Sequence, residues 1–235
     1  MTDDQRPSRA CCGLAPTPPA EDALRTIFVL AGRGDPVTTS ALAARLDVTP
    51  PTVSSMLKRL AEHGLLDRTD SRPSLTAHGE RHARHVVRRH RLLETFLVEV
   101  LGLGVDEVHD EADALEHAVS DRVLERIDAL LGRPPSDPHG DPIPRAGTGH
   151  VERCGRRLAD ADPPGRFTVQ RVHDWDSGAL AHLTALGIRP GAVVEVLDRG
   201  PYGGPLRVRV AGREHALGDP LTRLVHGEPG AGERA

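Results

Sequence analysis

Apolar positions recur at helical spacing over most of the first 130 residues. Leu24, Ile27 and Phe28 predict a first helix over Glu21–Leu30 that stops near Gly32-Arg33-Gly34. Thr39-Ser40 is suited to cap a second helix, Ala41–Leu46. Thr49-Pro50-Pro51 opens a third, with Val53, Met56, Leu57 and Leu60 on one face and Gly64 after its end. Leu65–Arg68 and Pro73–Leu75 read as two short strands around Asp70-Ser71-Arg72. Thr76 begins a long helix to about Leu101, and Asp106 to about Leu131 reads as one or two more. Arg133–Gly149, dense in Pro, Gly and Asp, is expected to be irregular. After Asp160–Pro164 the period changes from helical to alternating. Phe167–Val172, Val193–Leu197, Leu206–Val210 and His215-Ala216 are β-rich, with one helix-like stretch at Gly178–Leu186 and Gly-rich turns between. The pattern predicts a mainly α chain ending in a small β-barrel.

Composition narrows this picture. Of 235 residues, 38% are apolar and only 2% aromatic, so Leu, Val, Ala and Ile must build the core. No run approaches the ~18 apolar residues of a membrane span, so no membrane partner is expected. The polar, Pro-rich start has no secretory h-region, and residues 1–19 read as a disordered tail. Three cysteines, two of them adjacent (Cys11, Cys12), form no even framework, and a cytoplasmic location is expected.

A net charge of −4 argues against a generic nucleic-acid binder, but the charge is uneven. Val37–Arg91 holds ten basic residues against five acidic, and Glu94–Asp128 holds eleven acidic against two basic. That order suggests an anion-binding module joined to a cation-binding one. Chance polarity of two solvated faces is the competing reading.

Helix, short helix, turn, helix and strand pair is the order of a winged helix–turn–helix. In that device one helix is carried into the major groove and a basic hairpin holds the phosphate backbone. The candidate DNA-contacting residues are Thr49, Pro51, Thr52, Ser54, Ser55, Lys58 and Arg59 on the third helix, with Arg68 and Arg72 on the wing. The alternative is a generic three-helix core with a hairpin.

His90 and Glu94 stand four apart. Asp113, Glu116 and His117 have i, i+3, i+4 spacing, and His109 lies one turn before Asp113. Each set shares a helix face, and two helices in a hairpin could converge them on cations. Surface ion pairing gives the same spacing. His63, His78, His82 and His85 read as ordinary surface residues.

Val87–Glu94 and Val108–Asp121, with Asp141–Pro144 after them, strongly resemble the diphtheria-toxin-repressor family of metal-dependent transcriptional repressors. Leu24–Ile27 and Pro51–Ser54 resemble the family's first helix and recognition helix. Leu186–Gly191 resembles its SH3-like domain, similar to ferrous-transport accessory modules. The resemblance implies a winged helix–turn–helix DNA-binding domain (20–89), a helical metal-binding and dimerisation domain (90–150), a linker (151–165), an SH3-like domain (166–227) and a tail (228–235).

It further implies a primary metal site of Asp22, Asp113, Glu116 and His117. The implied ancillary site is His90, Glu94 and His109, with Asp176 as an extra ligand. Asp22 and Asp113 stand where iron-responsive members carry softer ligands, as in manganese-responsive members, so Mn2+ is the expected effector and Fe2+ the alternative. Arg25 replaces a ligating carboxylate of single-domain manganese-responsive members, which favours two separated sites. Ala179 replaces an amide ligand of the longer members. The implied partners are double-stranded operator DNA and a second copy of the chain. Leu92, Leu93, Phe96, Leu97, Val100 and Leu101 give an apolar stripe fit for a dimer interface or, equally, for intrachain core. The implied function is repression of metal-uptake genes.

Two other functions compete. His109-Asp110 and His173-Asp174 resemble the dyads of metal phosphohydrolases. A winged-helix regulator could instead sense another ligand or redox state through Cys11, Cys12 or Cys154.

Overall fold

The computed structural model describes residues 17–67, 72–145 and 155–230. The tail to residue 16, Arg68 and all three cysteines lie outside the described residues. The chain forms two compact units, Met1–His90 with Pro144–Glu152 and Arg91–Ile143 with Arg153–Ala235.

In the first unit α1 spans Pro18–Gly32. It begins earlier than expected because Pro18 and Pro19 occupy its first turn, where no N–H is needed and their fixed φ already suits the helix. α2 (Thr39–Arg45) is capped by Thr38 rather than Thr39-Ser40, the Thr38 hydroxyl accepting the Ala41 N–H at 3.1 Å. α3 (Pro50–Glu62) buries Val53, Leu57 and Leu60. β1 (Leu66–Asp67) pairs antiparallel with β2 (Ser74–Leu75), with Leu66 opposite Leu75.

α4 (Ala77–Glu99) follows at once. Thr76 Oγ1 accepts the Gly79 N–H at 3.0 Å and donates to the Gly64 carbonyl at 2.7 Å. Residue 79 must be glycine, since a Cβ there would stand 2.0 Å from the Leu65 carbonyl oxygen. Ile27, Leu42, Leu60, Leu65 and Ala83 form the shared core. Burying each of the larger side chains contributes roughly 1.5–3 kcal/mol.

In the second unit the end of α4 packs with α5 (Val108–Glu116) and α6 (Asp121–Leu130) through Leu92, Leu93, Leu97, Val108, Ala112, Leu124 and Ile127. Three members of the expected interface stripe, Leu92, Leu93 and Leu97, are thus intrachain core. Val100 and Leu101 are exposed.

The irregular stretch after α6 is held locally. Ser136 bridges Pro142, and Asp137 Oδ1 accepts the N–H groups of His139 and Asp141, both at 2.9 Å. Gly140 takes φ +89°, and a Cβ there would lie 2.0 Å from the Gln170 carbonyl oxygen.

Beyond it, β3 (Arg156–Arg157), β4 (Gly165–Val172), α7 (Ser177–Ala185), β5 (Val193–Arg199), β6 (Leu206–Val210), β7 (Arg213–Leu217), α8 (Asp219–Thr222) and β8 (Val225–Pro229) follow. The six strands form one antiparallel sheet in the order β3-β8-β4-β5-β6-β7. Alternate residues (Phe167, Val169, Val194, Val196, Leu206, Val208) enter its core with Leu183 and Ile188 of the α7 segment. Mainly α therefore describes the part before this sheet, not the whole chain. β3 and the buried Leu158 fall in the stretch read as a linker, and β8 extends into the stretch read as a tail.

Candidate metal centre and nucleic-acid face

The exposed side of α3 is built by elimination. Val53, Leu57 and Leu60 face the core, which leaves Pro51, Thr52, Ser54, Ser55, Lys58 and Arg59 exposed, with Thr49 just before the helix. The Thr49 and Thr52 hydroxyls are 2.9 Å apart, and Ser54 Oγ donates to the Pro50 carbonyl at 3.1 Å. Small polar groups thus surround the helix start, where free N–H groups favour anions. Lys58 lies 3.8 Å from Glu62, an exposed pair that costs little to exchange for a phosphate. Arg72 is exposed beside β2.

The first unit also holds Asp22 and His90. Asp22 is half-buried on α1, its carbonyl accepting the Thr26 hydroxyl at 2.8 Å. His90 is buried, with Nδ1 in contact with Arg25 Nη1. The fully buried Arg89 reaches Glu21 Oε2 at 3.4 Å.

The second unit gathers the rest of the chemistry around Glu94, a carboxylate on α4 that is 1% exposed. Its Oε1 lies 3.2 Å from His109 Nδ1. The same nitrogen is 3.4 Å from Asp174 Oδ2, and His109 Nε2 is 3.8 Å from Asp113 Oδ2. One ligand atom each from Glu94, His109 and Asp174 lies within 4.8 Å of the others. At the end of α5 the buried Glu116 stands 3.5 Å from His117 Nε2. These donors are oxygens and imidazole nitrogens with no sulfur, which fits a hard or borderline divalent cation.

Glu94 has a second face. Its Oε2 is 3.8 Å from Nδ1 of the buried His139, and His139 Nε2 donates to the Val105 carbonyl at 3.0 Å. Burial works to lower the His139 imidazole, but Glu94, then Asp137 and Asp174, outweigh it and push it up to about 10. Burial, with like charge from Asp141 and Glu94, pushes the Asp137 carboxyl up to about 8. Arg91 and Arg171 answer these acids. Arg91 Nε is 3.5 Å from Asp137, and Arg171 Nη1 is 3.0 Å from Asp141.

The expected extra ligand Asp176 is exposed and serves as the N-cap of α7, its Oδ1 accepting the Ala179 N–H at 2.9 Å. The carboxylate that meets His109 is Asp174, which sequence reasoning missed. Asp176 directly before Ser177-Gly178 is a helix-capping signal in the sequence. Of the two dyads proposed for phosphohydrolase chemistry, His173-Asp174 is divided. Asp174 turns to His109, while His173 packs on Trp175 and places Nε2 2.8 Å from His226 Nε2.

Three family models match the chain. The iron dependent repressor N-terminal DNA binding domain covers residues 17–72. The iron dependent repressor metal binding and dimerisation domain covers 76–145, and the FeoA domain covers 156–229. The iron-dependent repressor IdeR of Mycobacterium tuberculosis is 42% identical over 205 residues, which is 82% of this chain and 88% of that protein. The diphtheria toxin repressor of Corynebacterium diphtheriae is 31% identical over 213 residues, 86% of this chain and 93% of that protein. A manganese-dependent transcriptional repressor solved with manganese superposes with a TM-score of 0.82 at 41% identity, covering 88% of this chain and 98% of that one. The manganese regulator SloR superposes at 0.78 with 30% identity, covering 91% and 100%.

Proposed function

Since the chain belongs to the iron-dependent repressor family and is a metal-dependent DNA-binding transcriptional repressor, we propose that Mn2+ is its activating ion and metal-uptake genes its targets. The observation that carries the choice of ion is the donor set. Glu94, His109, Asp113, Asp174, Glu116 and His117 offer only oxygen and imidazole, which suits Mn2+ better than ions that prefer thiolate or thioether.

The resemblance supports Asp22, Asp113, Glu116 and His117 as the primary ligands. An ancillary set of His90, Glu94 and His109 is joined by Asp174 in place of Asp176. When bound, the cation supplies positive charge shared by ligands on different helices. Asp22 moves with α1, and α3 shares a core with α1. Asp113, Glu116 and His117 move with α5. Ligation by both groups would make the placement of α3 depend on metal, and in a homodimer it would set the spacing of two recognition helices against half-sites about one helical turn apart. Thr49, Pro51, Thr52, Ser54, Ser55, Lys58 and Arg59 would meet base edges and phosphates, with Arg68 and Arg72 on the flanking backbone. The exposure of the α3 residues and of Arg72 supports this.

The test is fluorescence anisotropy of the chain's own promoter DNA titrated with Mn2+, Fe2+ and Zn2+. Mn2+ is expected to activate at the lowest free concentration. Activation by Fe2+ at lower concentration would establish the second reading, an iron-responsive repressor, which the 42% identity to an iron-dependent relative favours.

A further inference from the structure

Helix α4 carries three histidines, at 78, 82 and 85, that the proposed metal chemistry does not use. His78 and His82 are four residues apart and so share a face of the helix. Both are half-buried and reachable from solvent, as is His85. The rings of His78 and His82 lie 4.8 Å apart at 47°, and their Nε2 atoms are 3.0 Å apart. Between two such nitrogens only one can carry the shared proton, and the other presents a lone pair.

That separation has a metal geometry. With metal–nitrogen bonds of ~2.05 Å, nitrogens 3.0 Å apart subtend about 95° at the ion. This is the cis angle of a square-planar or octahedral centre, below the ~109° of tetrahedral zinc, and imidazole in tetragonal geometry is the preference of Cu2+ and Ni2+. His85 follows His82 by three residues on the same stripe. The groups that bear on the His82 ring include His78, His85 and, from α1, the carboxylate of Glu21. Arg81 adds like charge beside it and limits the affinity.

We propose that His78 and His82 form a two-nitrogen site, completed by water, for one ion of the Cu2+/Ni2+ class per chain. It lies in the first unit and is chemically distinct from the oxygen-rich ligands around Glu94. Ligation by residues one turn apart cross-links the first two turns of α4, which start directly after the wing strand β2. A metal held there would stiffen the seat of the wing.

The experiment titrates the Mn2+-loaded full chain with Ni2+, followed by calorimetry and by counting both metals after gel filtration. The unaltered chain is expected to take one Ni2+ more than the double variant, whether or not Ni2+ also displaces Mn2+ from the oxygen-rich ligands. Loss of even an outer-shell partner typically costs ~10–100-fold in metal affinity, so His78→Gln and His82→Gln are each expected to weaken Ni2+ by about tenfold or more. The double variant loses that equivalent, and all variants keep the wild-type thermal midpoint in chelator. Ni2+ uptake by the double variant equal to that of the unaltered chain overturns the site. A variant that misfolds leaves the unaltered chain to decide. Its His78 and His82 ring-proton NMR signals are the first that Ni2+ should broaden, and broadening confined to other histidines overturns the proposal.

Discussion

Two aspartates two residues apart show how local chemistry assigns a side chain its task. Asp176 is held by the N–H of Ala179, because the first N–H groups of α7 have no helical partner and a side-chain oxygen satisfies one of them. Asp174 has no helix to cap and turns its Oδ2 to His109. The contrast yields a prediction at single-residue resolution. Asp174→Asn removes a charged donor from the Glu94–His109 group and is expected to weaken Mn2+ binding by about tenfold. Asp176→Asn keeps a good N-cap and is expected to change neither Mn2+ affinity nor stability. Calorimetry of the two variants decides, and equal losses would remove Asp174 from the ligand set. Glu94 is the residue these contacts share, with one oxygen toward His109 and the other toward His139.

At the scale of elements, α3 and the wing divide the work of binding DNA. Arg72 is exposed beside β2, and the proposed contact for it is the phosphate backbone. Arg72→Ala is therefore expected to weaken binding to all DNA sequences and to lower the salt dependence by about one counterion per contact. Loss confined to the operator would mean that the wing reads bases. The helices were legible because their signals are long and periodic. Val53, Leu57 and Leu60 mark the buried face of α3, and Leu92, Leu93 and Leu97 that of α4. Strands β4 to β7 are legible from alternation. β3 and β8 are not, because Arg156-Arg157 carries no apolar signal and Gly227 breaks the alternation of β8. Gly227 is there for close approach, since a Cβ would lie 2.0 Å from the Thr168 carbonyl oxygen. The stripe read from α4 as an interface was half core, because periodicity alone cannot say whether an apolar face meets its own chain or a second copy.

At the scale of the whole molecule, the second unit exposes Leu101 (56%) and Leu130 (67%), with Val100, Leu115 and Val123 also uncovered. Leu101 and Leu130, the most exposed of these leucines, are the proposed contacts for a second copy of the chain. Leu101→Glu with Leu130→Glu is expected to shift the chain from dimer to monomer in light scattering while leaving its helix content unchanged; a dimer that persists would place the interface elsewhere. Among the described residues no helix is long and apolar enough to cross a membrane.

If ligands on separate helices share one divalent cation, operator binding depends on that ion. The most direct measurement is the affinity of the chelator-treated chain for its own promoter against that of the Mn2+-loaded chain, with Asp113→Ala alongside. A coupling of ~2.7 kcal/mol predicts about 100-fold tighter binding with Mn2+. The same advantage should be absent in Asp113→Ala. Equal affinity of the stripped and loaded wild-type chain would rule that dependence out.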